Sequence, residues 1–448
     1  MAPAGVYYAY GGKAYMNGGT AVDGKNGTII IKASCLDRSG ATFSPDLMSP
    51  LSNSGGCTWQ YSKDLMIANP GATLTDYQVL VNLTGAGFPI EANASGADIR
   101  FTDAGGAELN YWIENWDYAN RSANVWVNVT SIPAGVSSMH LWYGNPGATS
   151  SSNGNATFVF FDDFESGNLN KWDGVDPGMS VVSDNSNNVL RLYHADNGPW
   201  TSIWKNIVPT DIRVDLKYKI VQDGGWDGAR FVSSLRFSNL SQSYSYILAD
   251  WHFRALGPLR SLHDNLTDVP VVLQPISYYS TLGVWYYWGF SVVGSSSVLL
   301  NGYGKDGEVL VSYTDTAKLH PSGQLRLWIL DTGATDYIDN VRVRKYASAE
   351  PFIVYNLSGR VLNSSSGLGI PGALVKLDAY PQYNATTNIS GDYSMSVPSG
   401  IYNITASFEP TYYTNSTTVL IESSDVVAQD IALVMKPTGA ITGSVKNA

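Results

Sequence analysis

The groups able to do chemistry in this chain are few and scattered. Its five histidines are His140, His194, His252, His263 and His320. None has the H-E-x-x-H or H-x-H spacing that places two imidazoles on one metal, and none stands beside a serine or cysteine nucleophile motif. Neither G-x-S-x-G nor G-x-x-x-x-G-K-[ST] occurs. The densest acidic cluster is Asp162, Asp163 and Glu165. On a strand, Asp163 and Glu165 share one face, which suits the carboxylate pair of a retaining glycosidase. The same oxygens also suit a hard cation such as Ca²⁺, or a plain solvated strand end. The expectation is a chain that is not an enzyme and carries no cofactor, with structural calcium at Asp162, Asp163 and Glu165 as the alternative.

Two cysteines, Cys35 and Cys57, bracket a loop rich in Ser, Gly and Pro. Two thiolates cannot complete a tetrahedral metal site, and no histidine lies near them in sequence. In an exported chain they read as one disulfide; two buried free thiols are the alternative. Export is indicated by fourteen N-x-S/T sequons, at Asn26, Asn82, Asn93, Asn120, Asn128, Asn155, Asn239, Asn265, Asn356, Asn363, Asn384, Asn388, Asn403 and Asn415. That is more than twice the chance expectation for this composition, and it points to covalent N-glycans. The competing reading is that Asn, Ser and Thr serve here only as turn and strand-surface residues. Trp112, Trp116, Trp126, Trp142, Trp251, Trp285 and Trp288 offer rings on which sugars stack, although tryptophans in sandwiches mostly pack cores. Trp112 and Trp116 are the candidate glycan platforms.

The elements that must position these residues are strands. Of 448 residues, 15% are charged, 12% aromatic and 44% hydrophobic, with 44 Gly and 20 Pro. Long helices need more Ala, Leu, Glu and Lys than this, and disordered chains need fewer apolar residues. The length implies two to four domains. With 27 basic against 38 acidic residues, the net charge is −11 and no basic cluster exists, which excludes nucleic acid as a partner. No apolar run reaches the ~18–20 residues of a membrane span. The first residues, MAPAGVYYAY, lack a leader's basic and apolar regions. The expected location is extracellular, with the leader absent from this sequence.

Short apolar-aromatic runs between Gly, Asn, Ser and Pro recur throughout and predict an all-β protein of serial sandwiches. Residues 1–56 are the least regular, with strands expected at Val6–Tyr10 and Thr28–Ala33 and no core of their own. Strands then follow at Tyr77–Leu83, Ile99–Thr102, Leu109–Trp116, Asn124–Val129 and Met139–Tyr143. In YWIENWD, strict alternation sets Trp112, Glu114 and Trp116 on one face and Tyr111, Ile113 and Asn115 on the other, so one face must show large aromatics at or near the surface.

WQYSKDLMI near Trp59, ADIRFTD, YWIENWD, VWVNVTSIPAG and LWYGNPGA, in that order, resemble a domain of unknown function found in archaeal and bacterial surface proteins. The resemblance spans about 57–160 and implies a β-sandwich, 57–157. FVFFDDFESGNLNKWDG and LRLWILDTGATDYIDNVRVRKY resemble the opening and closing strands of a concanavalin/laminin-G-like jelly roll, 158–347. The E-x-D-x-x-E strand of concanavalin-like glycosidases is absent. SGRVLNSSSGLGIPGALVKLDAY and TTNISGDYSMSVPSGIYNITASF resemble a carboxypeptidase-regulatory-like, immunoglobulin-like sandwich, 352–436. There Gly369–Gly372 turns the chain, Ala373, Val375 and Leu377 point inward, and a hairpin turn at Gly391-Asp392 sets Tyr393, Met395 and Val397 on one face. Ile441-Thr442-Gly443-Ser444-Val445 repeats Leu357-Ser358-Gly359-Arg360-Val361, leaving 437–448 as an orphan strand.

Serial sandwiches, sequons and orphan strands predict a glycosylated extracellular structural protein, a filament, stalk or surface-layer subunit. Its partners would be copies of itself, joined head to tail by a donated strand, from Ala440–Val445, Val6–Tyr10 or Thr28–Lys32. Truncation of a further domain is the competing account of the C-terminal strand. The alternative function is a lectin-like adhesin that binds extracellular polysaccharide.

Overall fold

The structure, a computed structural model, describes residues 13–14, 22–23, 59–195, 201–208, 210–222, 229–239, 242–249, 259–263, 275–277, 281–303, 309–316, 322–329, 332–421 and 426–437. Nearly all elements are strands; the helical exceptions are single turns at Gly85–Gly87 and Gly154–Thr157. Before residue 59 the described residues are the pair Lys13–Ala14 and Val22–Asp23. The strands expected at Val6–Tyr10 and Thr28–Ala33, both cysteines and Ala440–Val445 lie outside the described residues.

The first sandwich packs a three-stranded sheet, in the order Leu74–Thr84, Ser122–Ile132, Tyr111–Asp117, against Glu108–Leu109, Arg100–Asp103, Gly135–Tyr143 and Tyr61–Asn69. Alternate residues of the central strand, Ala123, Val125, Val127 and Val129, are buried between the sheets. In Tyr111–Asp117 the expected alternation is broken. Ile113 pairs with Val125 and Asn115 with Asn124, so Glu114 is an extra residue in a bulge. Tyr111, Ile113 and Trp116 therefore turn into this sandwich's core, while Trp112 stays on the opposite face. Neither face leaves its aromatics open, because the second is covered by the next module.

That module is a jelly roll. Its opening strand Phe160–Asp162 pairs with the closing strand Thr335–Lys345, Phe160 opposite Val343. One sheet runs Ser180–Asp184, Asn187–Tyr193, Thr335–Lys345, Ile212–Gln222, Trp285–Val293, Val298–Tyr303, Val309–Asp315. The other runs Gly174–Val175, Thr201–Ile207, Gly323–Ile329, Ala229–Asn239, Gln242–Ala249, Leu259–His263, Pro275–Ser277. Val214, Leu216 and Tyr218 from the first meet Leu325, Leu327 and Ile329 from the second in one core.

The third module is not a separate bead. Strand Phe352–Asn363 begins by pairing antiparallel with Tyr61–Asn69, Ile353 opposite Ile67, continues antiparallel to Asp392–Val397, and ends by pairing parallel with Ile431–Leu433. One strand thus completes sheets of the first and third sandwiches, and a single hydrophobic core runs from Leu65 to Leu433 across both. Ala373, Val375 and Leu377 are fully buried as their alternation requires, and Tyr393, Met395 and Val397 share a buried face. Gly391 does turn the chain, with φ near 83°. The turn is no hairpin, however: Asn384–Thr386 before it and Asp392–Val397 after it belong to opposite sheets.

Candidate functional site

The acidic cluster is built into the fold. The strand stops at Asp162 and the chain turns at Phe164, whose φ of 58° lies in the left-handed region, so Asp163 and Glu165 do not share a strand face. Asp162 is fully buried and accepts from Trp172 Nε1 at 2.8 Å and from the Phe164 N–H, with Lys171 Nζ at 3.2 Å. Asp163 accepts from the Glu165 N–H, and Glu165 from the Asn188 N–H. These oxygens hold a turn. Among the described residues no group of three or more His, Cys, Asp or Glu is arranged to hold a metal.

The histidines are dispersed. His140 Nδ1 lies 2.7 Å from Asp64 Oδ1, and buried His194 meets Thr201 Oγ1 at 2.8 Å. The side chains of His252, His263 and His320 lie outside the description, as does Trp251. Trp288 is a core residue whose Nε1 donates to Ser233, Trp142 Nε1 donates to Thr102, and Trp285 lies under the Lys219 ammonium. Trp116 packs on Phe88, with ring centroids 4.9 Å apart, and a Cβ on Gly96 would touch its indole at 2.7 Å. Trp112 packs on Phe158 and Phe161. Both proposed platforms are thus engaged in packing, one within a core and one between modules.

Around Trp112 lies a charged interior. Arg342 from the jelly roll bonds Glu114 of the first sandwich at 2.8 Å, and Glu114 also accepts from Trp126 Nε1. Asp215, buried, sits between Arg213 Nε at 2.7 Å and Arg344 Nε at 3.4 Å and accepts from the Tyr287 hydroxyl. Burial pushes the Asp215 carboxyl up, but Arg213, Arg344 and Arg342 outweigh it and hold it at about 2. Burial likewise raises the Tyr287 phenol above its ordinary value. Each acid here has a cationic partner, and the Arg342–Glu114 pair joins the jelly roll to the first sandwich.

A different arrangement occupies the outer face of the jelly roll's seven-stranded sheet. In Gly323–Ile329, Leu325, Leu327 and Ile329 point to the core, so Gln324, Arg326 and Trp328 point outward. Opposite them, Asn206 pairs with Gln324, Trp204 with Arg326 and Ser202 with Trp328. The Arg326 guanidinium lies 4.5 Å from the ring centres of Trp204 and Phe237 and 4.9 Å from that of Trp328. Its Nε is buried without a hydrogen-bond partner. Burial holds Arg326 below the ordinary guanidinium value, the Asp176 charge opposing this. Asp176 itself is occupied by the Ser202 N–H and hydroxyl at 2.9 and 2.8 Å. Beside this group, Gln324 Nε2 donates to Asn206 Oδ1 at 3.2 Å. Sequence reasoning passed over Arg326 and Trp204, although the alternation in LRLWI and TSIWKNI puts both outside the core.

The described sequon asparagines are exposed or half-buried: Asn82, Asn93, Asn120, Asn155, Asn384, Asn388, Asn403 and Asn415 are exposed, and Asn128, Asn356 and Asn363 half-buried. For Asn239 only the strand position is described, and Asn26 and Asn265 lie outside.

A groove of about 370 Å³ lies where the first and third sandwiches meet, lined by Leu80, Asn82, Phe352, Tyr355, Tyr383 and Pro398. Its wall includes the edge strand Leu74–Thr84, whose free side has no paired strand among the described residues.

Residues 95–175 match the family model described as a domain of unknown function, DUF2341, and residues 356–434 match that of the carboxypeptidase regulatory-like domain. No curated protein matches the chain. Similar solved structures include the carbohydrate binding module CBM66 from Bacillus subtilis, at 13% identity and TM-score 0.27, covering 38% of this chain and 97% of that one. The cellulose induced protein Cip1 is similar at 13% identity and TM-score 0.30, over 41% of this chain and 96% of its own. The Ca²⁺-bound exoplasmic/lumenal domain of VIP36 is similar at 11% identity and TM-score 0.29, over 40% and 89%. The chain thus carries a DUF2341 segment and a carboxypeptidase regulatory-like sandwich, with a jelly roll between their strands in sequence.

Proposed function

We propose that the protein is an extracellular structural subunit that assembles with copies of itself by strand addition. The observation that carries this reading is the groove beside the edge strand Leu74–Thr84, where exposed Leu80 and the apolar rings of Phe352 and Tyr383 lie next to an unpaired strand edge. On that edge, Lys345 Nζ bonds the Thr75 carbonyl, Gln78 Nε2 that of Asp76 and the Tyr355 hydroxyl that of Asn82, which leaves the stretch 79–81 for an added strand. Backbone bonds then give affinity and the groove reads alternate side chains. Continuity of the first and third modules through Phe352–Asn363 supports a stiff subunit, and exposed sequons support a glycan coat.

The test is electron microscopy of purified protein with Leu80→Lys as the comparison. Regular polymers that disperse in the variant are expected; polymers unaffected by Leu80→Lys would remove this groove as the acceptor, and dispersed monomers at all concentrations would remove the structural reading. Mass spectrometry of native material should exceed 48.4 kDa through the exposed asparagines. Asn363 should stay bare, because its amide donates to Tyr412 and accepts from Ser365 and Ser366 N–H groups.

A second reading, adhesion to polysaccharide through the jelly roll, is favoured by the Arg326 group on its outer sheet. That module also carries two of the fourteen sequons, Asn239 and Asn265, within 158–347.

A further inference from the structure

We propose that Arg326 anchors a binding site for a carboxylated glycan, its guanidinium pairing with the carboxylate of a uronic-acid-type residue on the outer face of the seven-stranded sheet. This rests on the adhesive reading and specifies its ligand.

The argument is one of comparison within the same module. Buried Arg213, Arg236, Arg342 and Arg344 each pair with a carboxylate, of Asp215, Asp211, Glu114 and Asp215 with Glu350 respectively. Arg326 pairs with none among the described residues. Three aromatic rings lie within 5 Å of the half-buried guanidinium, its Nε is buried without an acceptor, and Oδ2 of Asp176, the acid whose charge acts on it, accepts from Ser202. A buried guanidinium N–H without an acceptor is costly, and a structural role alone would be served better by an apolar side chain. What such a guanidinium complements is a planar anion taken two oxygens at a time.

The neighbours say what carries the anion. Gln324 stands one register step away on the same face, its Nε2 donating to exposed Asn206, whose own amide is held by Asp173, so the Gln324 carbonyl oxygen is the group matched to a hydroxyl. A single cation beside paired amides and an indole fits one carboxylate set among hydroxyls, the composition of an acidic sugar.

The test is affinity electrophoresis and calorimetric titration of the full chain with polygalacturonate, its methyl ester, a sulfated galactan, amylose and polyglutamate. Polygalacturonate is expected to bind at least tenfold more tightly than the ester. Arg326→Gln should abolish that preference, and Arg326→Lys should weaken binding about tenfold, because an ammonium keeps the charge and loses the fork. Circular dichroism of both variants controls for folding, and the lysine variant retains a cation where the glutamine variant does not. Equal binding of ester and acid, undiminished binding by both variants, or tighter binding of the sulfated polymer or polyglutamate would overturn the inference while leaving glycan adhesion standing. Failure to bind any polysaccharide would overturn the adhesive reading itself.

Discussion

At the scale of single residues, two buried carboxylates of the jelly roll respond to their surroundings in opposite senses. Asp215 is held at about 2 by three arginines that overcome its burial. Its ionised form is therefore favoured by folding; that stability is present above the unfolded value near 4 and is lost as pH falls through about 2. Asp215→Asn leaves Arg213 without its counter-ion and Arg344 with Glu350 alone, and should cost about 3–5 kcal/mol in urea unfolding at pH 7. A loss below 1 kcal/mol would show the cluster to be solvated. Asp339 is the converse. Burial is the largest influence on it and lifts its carboxyl to about 6, against hydrogen bonds from Asn340 and Asn187 and attraction from Lys217; Asp163 adds to the rise. A raised acid favours the folded state while protonated, so its contribution is present below about pH 4 and is lost as pH rises to about 6. Across that window the wild type should lose about 2–3 kcal/mol relative to Asp339→Asn. Parallel stability–pH curves for the two proteins would contradict the assignment.

At the scale of elements, the site on the outer sheet depends on a glycine. Gly174 pairs with Trp204 on the neighbouring strand, and a Cβ there would fall 1.8 Å from the indole Cζ2. Gly174→Ala must therefore displace the ring that flanks Arg326, at about 1–3 kcal/mol of overpacking. The same substitution in a Trp204→Ala background should cost little, and an undiminished cost in that double-mutant cycle would break the link. Alternation read from sequence placed most strands and the inward sets Ala373, Val375, Leu377 and Tyr393, Met395, Val397, because a half-buried strand declares its faces with period two. It failed where one residue was added: the bulge at Glu114 carries Trp116 to the face opposite Trp112, and no residue type in YWIENWD announces it. It failed again at Asp163, where the chain leaves the strand at Phe164. Arg326 was legible in principle, since LRLWI places it outward. Its lack of a carboxylate partner was not, for partners such as those of Arg342 and Arg344 come from strands more than a hundred residues away.

At the scale of the molecule, three sandwiches in sequence make two cores in space. The jelly roll keeps its own, while Leu65, Val79 and Leu141 of the first sandwich share theirs with Leu357, Val375 and Ile404 of the third. Sharing arises because Phe352–Asn363 spends its first residues on Tyr61–Asn69 and the rest on Asp392–Val397 and Ile431–Leu433 of the third sandwich. Sequence resemblance divides the chain by motif, and no motif records that one strand is common to two sheets. Elements with a common core unfold together, because exposing one half removes the packing of the other. Calorimetry should therefore resolve two transitions, one for the jelly roll and one for the first and third sandwiches jointly. Leu357 is fully buried in the common core, so Leu357→Ala should destabilise the joint transition by about 2–5 kcal/mol through the cavity it leaves. The jelly-roll transition should move far less, because Leu357 lies in the common core and outside the interface made by pairs such as Arg342–Glu114, Trp112–Phe161 and Lys345–Thr75. Three separable transitions, with Leu357→Ala shifting the third sandwich alone, would show that the strand joins the modules without coupling them.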